Sequence, residues 1–334
     1  MDTESPRVAE TIDELIAGAS DRVSVQPEDG KSGASFERLT IDGEPHFLKV
    51  LSAESDWIMR CTGNTTNWEF QVWKAGMNHR TPRVIDHTIV SMALEGDGPT
   101  ARLAMLMTDC GNDLIPPGDA PLSVETHHRF IDHMAEMHAC FIGWEDTIGL
   151  GALDQRLLFF APATIAPELL VDDVPVPVRV ADQGWAILRE RSPQLHAIVS
   201  RVHTRPDELA TALRATPQTF IAGDWKMGNL GERPDGRTIV LDWAYPGEAP
   251  PAWELCWYLA LNRARIPISK EDTIDFYRAS IERHGVDTAG WWERQLGLCL
   301  LALTAVIGWE KAVGDRDEFE WWEAAALDGV RWMD

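Results

Sequence analysis

Two short apolar segments of this chain are each followed closely by an aspartate, and this pattern restricts the folds that the chain can adopt. One segment, at 219–222, leads to Asp224, and Asn229 follows five residues later. The other, at 237–241, leads directly to Asp242. Short apolar runs bounded by polar turn residues predict buried strands. The fold must therefore place two carboxylates and one amide just after two buried strands.

This set of side chains has the composition that phosphoryl transfer requires. One carboxylate orients the attacking hydroxyl group, while an amide oxygen and a second carboxylate hold magnesium against the phosphates. The alternative is a pair of ordinary surface turns, because Asp, Asn and Gly are common turn residues. The spacing of Asp224, Asn229 and Asp242, taken with Lys49 and Glu69 upstream, favours phosphoryl transfer.

Lys49 lies within an apolar strand that is predicted over 46–51. Burying a lysine is costly unless the ammonium group has an anionic partner. Glu69, in a helix predicted over 66–75, is the natural partner. The alternative is an edge strand on which Lys49 faces water.

The first third of the chain predicts a small sheet. Strands over 35–40 and 46–51 are separated by Asp42-Gly43, a pair of residues that strongly favours a hairpin turn. The run 102–108 is short and apolar, as is typical of a buried strand.

Two glycines, Gly30 and Gly33, precede this hairpin. Their spacing matches neither GxGxxG nor the GxxxxGK[ST] pattern of a P-loop. Their place before Lys49 nevertheless predicts a loop that covers the phosphates of a nucleotide.

The chain beyond residue 113 is largely helical by pattern. The segment 124–142 carries an apolar stripe at helical spacing. Residues 161–178 contain four prolines, which predict an irregular insertion. Further helices are predicted at 181–200, 205–215, 252–263, 270–284, 290–312 and 316–328.

The charge balance of the chain argues against two classes of binding partner. Lys and Arg number 30 against 53 Asp and Glu, for a net charge of -23, which argues against a main role in binding nucleic acid or an anionic membrane. The five cysteines form no CxxC pair, and the first 14 residues are acidic rather than apolar. The longest uncharged apolar stretch, 295–309, is shorter than the roughly 20 residues that span a bilayer. We therefore expect a cytoplasmic protein.

Gly223, Asp224, Asn229 and Leu241-Asp242-Trp243 carry a family resemblance. The chain resembles the aminoglycoside phosphotransferase family of the protein-kinase-like superfamily, whose members usually show H-G-D-x-x-x-x-N and then an apolar strand ending in I-D-W or D-F-G. It departs from that pattern at Ala222, where the family usually has a histidine that braces the loop.

The resemblance implies an α+β, bilobal protein-kinase-like fold. Residues 1–108 would form a small, sheet-rich N-lobe that covers the nucleotide. Residues 109–334 would form a larger, mainly helical C-lobe with the catalytic loop, the metal site and the substrate-binding helices.

The resemblance also implies roles for the motif residues. Asp224 would be the catalytic base or the residue that positions the acceptor hydroxyl. Asn229 and Asp242 would be magnesium ligands. Lys49 would hold the α- and β-phosphates of ATP while pairing with Glu69.

Four further residues complete the predicted site, three of them from the same resemblance. Lys226 gives the loop the Asp-x-Lys-x-x-Asn form of protein kinases, in which the lysine approaches the transferred phosphate. The alternative is a solvated loop lysine. The run 104–111 resembles the connector between the lobes, whose backbone reads adenine, and this implies Thr108 and Cys110 as the hydrogen-bonding positions. Gly33 is assigned to the loop over the phosphates.

The implied activity is ATP- and magnesium-dependent phosphorylation of a hydroxyl group on a small molecule, with GTP as an alternative nucleotide. The preferred acceptor is an aminoglycoside or amino sugar, in an antibiotic-resistance role. Glu248 and Glu254 are predicted to bind its ammonium groups, with a loop-bracing role as the alternative for Glu254. The rival functions are a metabolic kinase for a sugar, choline-like alcohol or nucleoside, and a nucleotide-binding regulator without turnover. The oligomeric state is left open.

Overall fold

The computed structural model describes residues 5–25 and 32–333 of the chain. They form two compact units. The sheet unit comprises the described residues up to Ala120, together with Thr147–Leu150 and Ala222–Pro246. The helical unit comprises Pro121–Asp146, Gly151–Ile221 and residues 247–333. The predicted α+β class is confirmed.

The N-terminal part of the sheet unit is built on one mixed sheet. Its elements in chain order are β1 (Val8–Ala9), α1 (Ile12–Leu15), β2 (Ser20–Val25), β3 (Ser35–Ile41), β4 (Glu44–Leu51), α2 (Trp57–Thr62), α3 (Trp68–Lys74), β5 (Ile85–Asp86), β6 (Ile89–Glu95) and β7 (Arg102–Thr108). Six of the strands form a sheet in the order β1-β6-β7-β4-β3-β2. Apolar side chains of α1, β3, β4, β6 and β7 pack into a core beneath it.

The hairpin predicted from Asp42-Gly43 is present. Asp42 and Gly43 have φ values of 53° and 83°, and they join β3 to β4 with Ile41 opposite Glu44. Positive φ at both central residues gives the turn the twist that matches its flanking strands. The strands are slightly longer than predicted, because pairing continues up to this turn.

The strand that carries Lys49 is central rather than at an edge. β4 pairs with β3 on one side and with β7 on the other, with Lys49 opposite Phe36 and Met105. The alternative of an edge-strand lysine facing water is therefore wrong. Lys49 is buried, and it needs an anionic partner.

The rest of the chain is mainly helical. Its elements are α4 (Val124–Cys140), α5 (Leu153–Arg156), α6 (Pro162–Ile165), α7 (Val176–Arg191), α8 (Pro193–Thr204), α9 (Pro206–Arg214), β8 (Thr219–Ile221), β9 (Leu230–Glu232), β10 (Thr238–Val240), β11 (Gly247–Ala249), α10 (Pro251–Leu261), α11 (Lys270–Arg283), α12 (Trp292–Val313) and α13 (Arg316–Gly329).

Two small sheets hold the segments that carry the motif residues. In the sheet unit, β10 pairs antiparallel with β9 and parallel with β5. In the helical unit, β8 pairs antiparallel with β11. The strands predicted at 219–222 and 237–241 are confirmed to within a residue at each end.

The helix predicted over 181–200 is two helices. α7 ends at Arg191 and α8 begins at Pro193, with Ser192 between them accepting a hydrogen bond from the Leu195 N–H. Proline has no backbone N–H and suits the first position of a helix, so the chain restarts there rather than continuing. α7 also begins inside the predicted irregular insertion, at Val176.

α12 covers nearly the range predicted for it, 290–312. Among the described residues it is the one helix that is long and apolar enough to cross a membrane, by length and composition alone. Of its most apolar window, 83% is buried, as in the core helix of a folded unit. The uncharged run 295–309 lies within it, and the helix reaches 22 residues by including charged residues on both sides of that run.

The compact units divide the chain differently from the predicted lobes. The residues after Thr108 join the sheet unit, where Leu114 bridges Gly231 and the Ile115 N–H donates to the Leu230 carbonyl. The segment Ala222–Pro246 belongs to this unit as well. The lobe boundary after residue 108 stays a prediction.

Candidate active site

The loop after β8 makes a sharp turn at Gly223. This residue has φ of +92°, and a Cβ placed on it would lie 1.8 Å from the Tyr245 carbonyl oxygen. Both the conformation and the close approach require glycine. The preceding Ala222 is buried, so the loop packs a methyl group where the family usually has a histidine ring.

Asp224 is held by residues of its own loop. Asn229 Nδ2 donates to Asp224 Oδ2 at 2.8 Å and to the Asp224 carbonyl oxygen at 3.0 Å. Lys226 Nζ donates to Asp224 Oδ2 at 2.6 Å. These contacts orient the carboxylate, and they leave Asn229 Oδ1 as the amide atom available to a further ligand.

Asp242 follows β10 and lies beside the same loop. The Leu241 N–H donates to the Asn229 carbonyl oxygen at 2.8 Å, which ties the two motif segments together. Asp242 has φ of 57°, an uncommon conformation for a residue other than glycine. Such outliers cluster at functional sites, where the surrounding structure holds them.

Lys49 forms its ion pair with Asp242. Lys49 Nζ lies 2.6 Å from Asp242 Oδ1. Burial alone would lower the pKa of Lys49 and raise that of Asp242, but the attraction between them outweighs burial and shifts both pKa values the other way. Lys226 also lowers the pKa of Asp242. The site therefore holds a charged lysine and an ionised aspartate.

The predicted Lys49–Glu69 ion pair is wrong for this structure, because Asp242 takes that place. Glu69 is 1% exposed, and its Oε2 accepts a hydrogen bond from Asn64 Nδ2 at 3.1 Å. Its other oxygen, Oε1, is buried without a hydrogen-bond partner in the described part of the chain. Burial raises the pKa of Glu69 to about 7, although nearby Lys49 opposes the shift.

Of the two connector residues assigned to adenine, Thr108 and Cys110, only Cys110 has a backbone N–H that is available to a ligand. The Thr108 N–H donates to the Thr88 carbonyl, so it is not available to adenine. The Cys110 N–H donates to no acceptor within residues 5–25 and 32–333. The Thr108 carbonyl is contacted by Cys110 Sγ at 3.7 Å, a weak interaction that a base could replace. The adenine-reading role of this connector stays a prediction.

Gly33 lies in the segment before β3. A Cβ placed on it would lie 1.7 Å from the Ser55 carbonyl oxygen, so glycine is required there for close backbone packing. Residues 29–31, which complete the predicted loop over the phosphates, lie outside the described residues. The assignment of Gly33 to that loop stays a prediction.

Of the two predicted substrate carboxylates, Glu254 fits its alternative role, that of a bracing residue. It is fully buried, and its Oε2 lies 2.9 Å from His138 Nε2, while His138 Nδ1 lies 2.5 Å from the Tyr277 hydroxyl. A carboxylate enclosed in this way braces the helical unit rather than meeting a substrate. Glu248 is half-buried and accepts a hydrogen bond from the Asp146 N–H at 2.8 Å. Its substrate role stays a prediction.

The residues present fit a magnesium ion. Magnesium prefers hard oxygen ligands and keeps several waters, so a few protein ligands and the phosphates suffice. Asn229 Oδ1 and the second oxygen of ionised Asp242 supply such ligands. No group of three or more His, Cys, Asp and Glu side chains that could hold a metal occurs among the described residues.

Two residues of this region were missed in the sequence. Asp56 caps the N-terminus of α2 through hydrogen bonds from the Ile58 and Met59 N–H groups, and it adds negative charge near Lys49. An aspartate directly before an apolar helical pattern would have indicated that cap. Arg233 contacts the connector and β5, and nothing in its sequence context indicated this.

Two solved structures are similar to this chain over nearly its whole length. The microcompartment-associated aminopropanol kinase is 11% identical, with 92% of this chain and 90% of that chain covered and a TM-score of 0.53. Choline kinase LicA from Streptococcus pneumoniae is 11% identical, with 96% and 95% covered and a TM-score of 0.50. The chain has a protein-kinase-like fold. The sequence matches no protein-family model and no curated protein.

One further similar structure has a lower TM-score. A thermostable mutant of aminoglycoside phosphotransferase APH(4)-Ia, bound to ADP and hygromycin B, is 13% identical over 96% of each chain, with a TM-score of 0.44.

Proposed function

We propose that the protein is an ATP- and magnesium-dependent phosphotransferase that acts on a hydroxyl group of a small molecule. The observation that carries the proposal is a pair of contact groups within the sheet unit, Asp224 with Asn229 and Lys226, and Asp242 with Lys49. The Leu241 N–H bond to the Asn229 carbonyl oxygen joins the two groups. This is the set of groups that phosphoryl transfer requires.

One residue of the loop acts on the acceptor hydroxyl, and another acts on the transferred phosphoryl group. Asp224 orients the acceptor hydroxyl and takes its proton while the acceptor oxygen bonds to the γ-phosphorus. The bond between that phosphorus and the β–γ bridging oxygen breaks, and ADP leaves with its electron pair. Lys226, held 2.6 Å from Asp224, offsets the negative charge on the transferred group. These roles rely on positioning and electrostatics rather than covalent catalysis.

Asn229 and Asp242 would hold magnesium, which supplies charge neutralisation at the phosphates. Lys49 is charged and anchored, so it can hold the α- and β-phosphates. Its ion pair with Asp242 keeps that carboxylate ionised.

For the acceptor, we propose an aminoglycoside or amino sugar, in a resistance role. The protein carries a net charge of -23, which favours a polycationic substrate over an anionic one. With Glu254 buried, Glu248 is the predicted carboxylate that remains for an ammonium group.

A second candidate is a small amino alcohol, as in a metabolic kinase. Two similar structures, with TM-scores of 0.53 and 0.50, are named as kinases of aminopropanol and choline. An amino alcohol carries one cationic group, so it requires fewer carboxylates than an aminoglycoside.

The experiment is a screen for ATP consumption with magnesium over four groups of acceptors: aminoglycosides, amino sugars, amino alcohols, and neutral sugars with nucleosides. Each hit is checked by mass spectrometry for a phosphate monoester. Products from aminoglycosides or amino sugars support the preferred class, and products from amino alcohols alone replace it with the second candidate. A protein that binds ATP but yields no phosphorylated product with any acceptor overturns the proposed activity.

A further inference from the structure

Arg233, directly after β9, makes four contacts through one guanidinium group. Nε donates to Asp86 Oδ2 at 2.8 Å, and Nη1 donates to Asp113 Oδ2 at 2.9 Å. Nη2 donates to Thr108 Oγ1 at 3.2 Å and lies 3.9 Å from Cys110 Sγ. Its side chain is only 17% exposed. A planar guanidinium is suited to such a network, because its donors point in fixed, divergent directions.

These contacts join three elements of the sheet unit. Asp86 ends β5, which pairs with β10, the strand that leads to Asp242. Thr108 and Cys110 belong to the connector, and Asp113 follows it closely. Arg233 itself lies four residues after Asn229, in the turn between β9 and β10. The connector is therefore fixed directly to the hairpin that carries both proposed magnesium ligands.

The attachment is electrostatically favourable. Burial alone would raise the pKa of Asp86, but hydrogen bonds from Arg233 and from the Thr88 N–H outweigh burial and lower it. Asp86 is therefore ionised at neutral pH and forms charge-assisted bonds to the guanidinium. Such bonds are stronger and more directional than those between neutral groups.

The connector presents backbone groups that match a purine base. The Cys110 N–H has no acceptor among the described residues, and the Thr108 carbonyl has a weak thiol contact. Arg233 contacts the side chains of these same two residues and leaves their open backbone groups untouched. The guanidinium thus supports the connector from its side-chain side.

We propose that Arg233 is a positioning residue for base recognition: it holds the connector in the geometry that lets the Thr108 carbonyl and the Cys110 N–H bind a purine. The inference rests on the proposed function, because it assigns the base of the nucleotide to this connector. It adds the residue that sets the position of that connector relative to the metal-binding hairpin.

The test compares Arg233→Gln with Arg237→Gln. Arg237 lies in the same turn and also reaches Asp86, at 3.5 Å, but none of its recorded contacts is to the connector. With magnesium present, calorimetry measures the affinity of the full-length protein for two probes. The first is the ATP analogue AMP-PNP, and the second is inorganic tripolyphosphate, which has no base.

We expect Arg233→Gln to weaken AMP-PNP binding about 10-fold or more and tripolyphosphate binding less than 2-fold, since only the first ligand uses the connector. Arg237→Gln should bind both ligands like the wild type. Arg233→Lys, which keeps the charge but not the fork, should fall between wild type and Arg233→Gln for AMP-PNP. Thermal unfolding confirms that each variant is folded.

Equal loss of affinity for both probes would overturn the positioning role, as would unchanged AMP-PNP binding in folded Arg233→Gln or Arg233→Lys. These outcomes concern the base alone. The proposed function fails on a different result: the wild type binds the nucleotide but phosphorylates no acceptor. A wild type that binds no AMP-PNP would overturn both.

Discussion

The proposed transfer step depends most on Asp224. Its carboxylate is fixed by Asn229 and Lys226, so its removal leaves the loop with donors but without the base. We expect Asp224→Ala to lower kcat about 100-fold or more, because general-base assistance contributes about 10²–10⁴-fold. The affinity for AMP-PNP, measured by calorimetry, should change less than about 3-fold.

Asp224→Asn is the matched variant for this prediction. It keeps a side-chain oxygen for Asn229 and Lys226, but it cannot take a proton. An equal loss of kcat in both variants indicates the missing base, whereas full activity in Asp224→Asn would assign Asp224 to loop structure.

We expect the free energy of unfolding to depend on pH through Glu69. Its pKa is raised from an ordinary value of 4.5 to about 7, so between those values the folded protein keeps a proton that the unfolded chain has lost. Stability attributable to Glu69 therefore falls as pH rises through this window, by roughly 3 kcal/mol, and is constant above it.

The measurement is the free energy of unfolding of wild type minus that of Glu69→Gln, from urea denaturation at pH 4.5–8. Taking the difference cancels groups common to both proteins, such as Asp56, whose pKa is also raised. A difference that does not vary with pH would show that Glu69 is ionised in the folded protein.

At the scale of the element, the turn after β8 depends on Gly223. An alanine there meets both a φ of +92° and the Tyr245 carbonyl at 1.8 Å. We expect Gly223→Ala to lower the free energy of unfolding by about 1–3 kcal/mol, the range for a residue forced into a sparsely populated conformation.

Gly228→Ala is the control in the same loop. A Cβ at Gly228 meets no atom within 4 Å and needs no positive φ. Its unfolding free energy should therefore lie within about 0.5 kcal/mol of wild type. Equal destabilisation by the two substitutions would contradict the account of the turn.

Elements defined by local patterns were predictable from the sequence. The Asp42-Gly43 turn determined the β3–β4 hairpin, and the short apolar runs determined β8 and β10. The break between α7 and α8 was missed even though Pro193 is a local feature, because the apolar periodicity continues across it. The partner of Lys49 was missed for a different reason, since Glu69 and Asp242 are both reachable and only the folded geometry decides between them.

At the scale of the whole molecule, the least predictable feature is how distant segments combine. Residues 222–246 join a unit built mostly from the first 120 residues, and contacts at that separation leave no mark in local patterns. Arg233 belongs to this category, because its partners lie 120–147 residues earlier in the chain. Burial of Glu254 is another case: an acid near a motif resembles a substrate ligand until its enclosure by His138 and Tyr277 is seen.

We propose that Asp242 and Asn229 form a magnesium-dependent nucleotide site served by Asp224. The most direct test is calorimetric titration of AMP-PNP into wild type, Asp242→Asn and Asp224→Asn, each with and without magnesium. We predict that magnesium strengthens binding at least 10-fold in wild type and in Asp224→Asn, and less than 2-fold in Asp242→Asn, which has lost a ligand charge. The same magnesium effect in Asp242→Asn as in wild type would contradict the account.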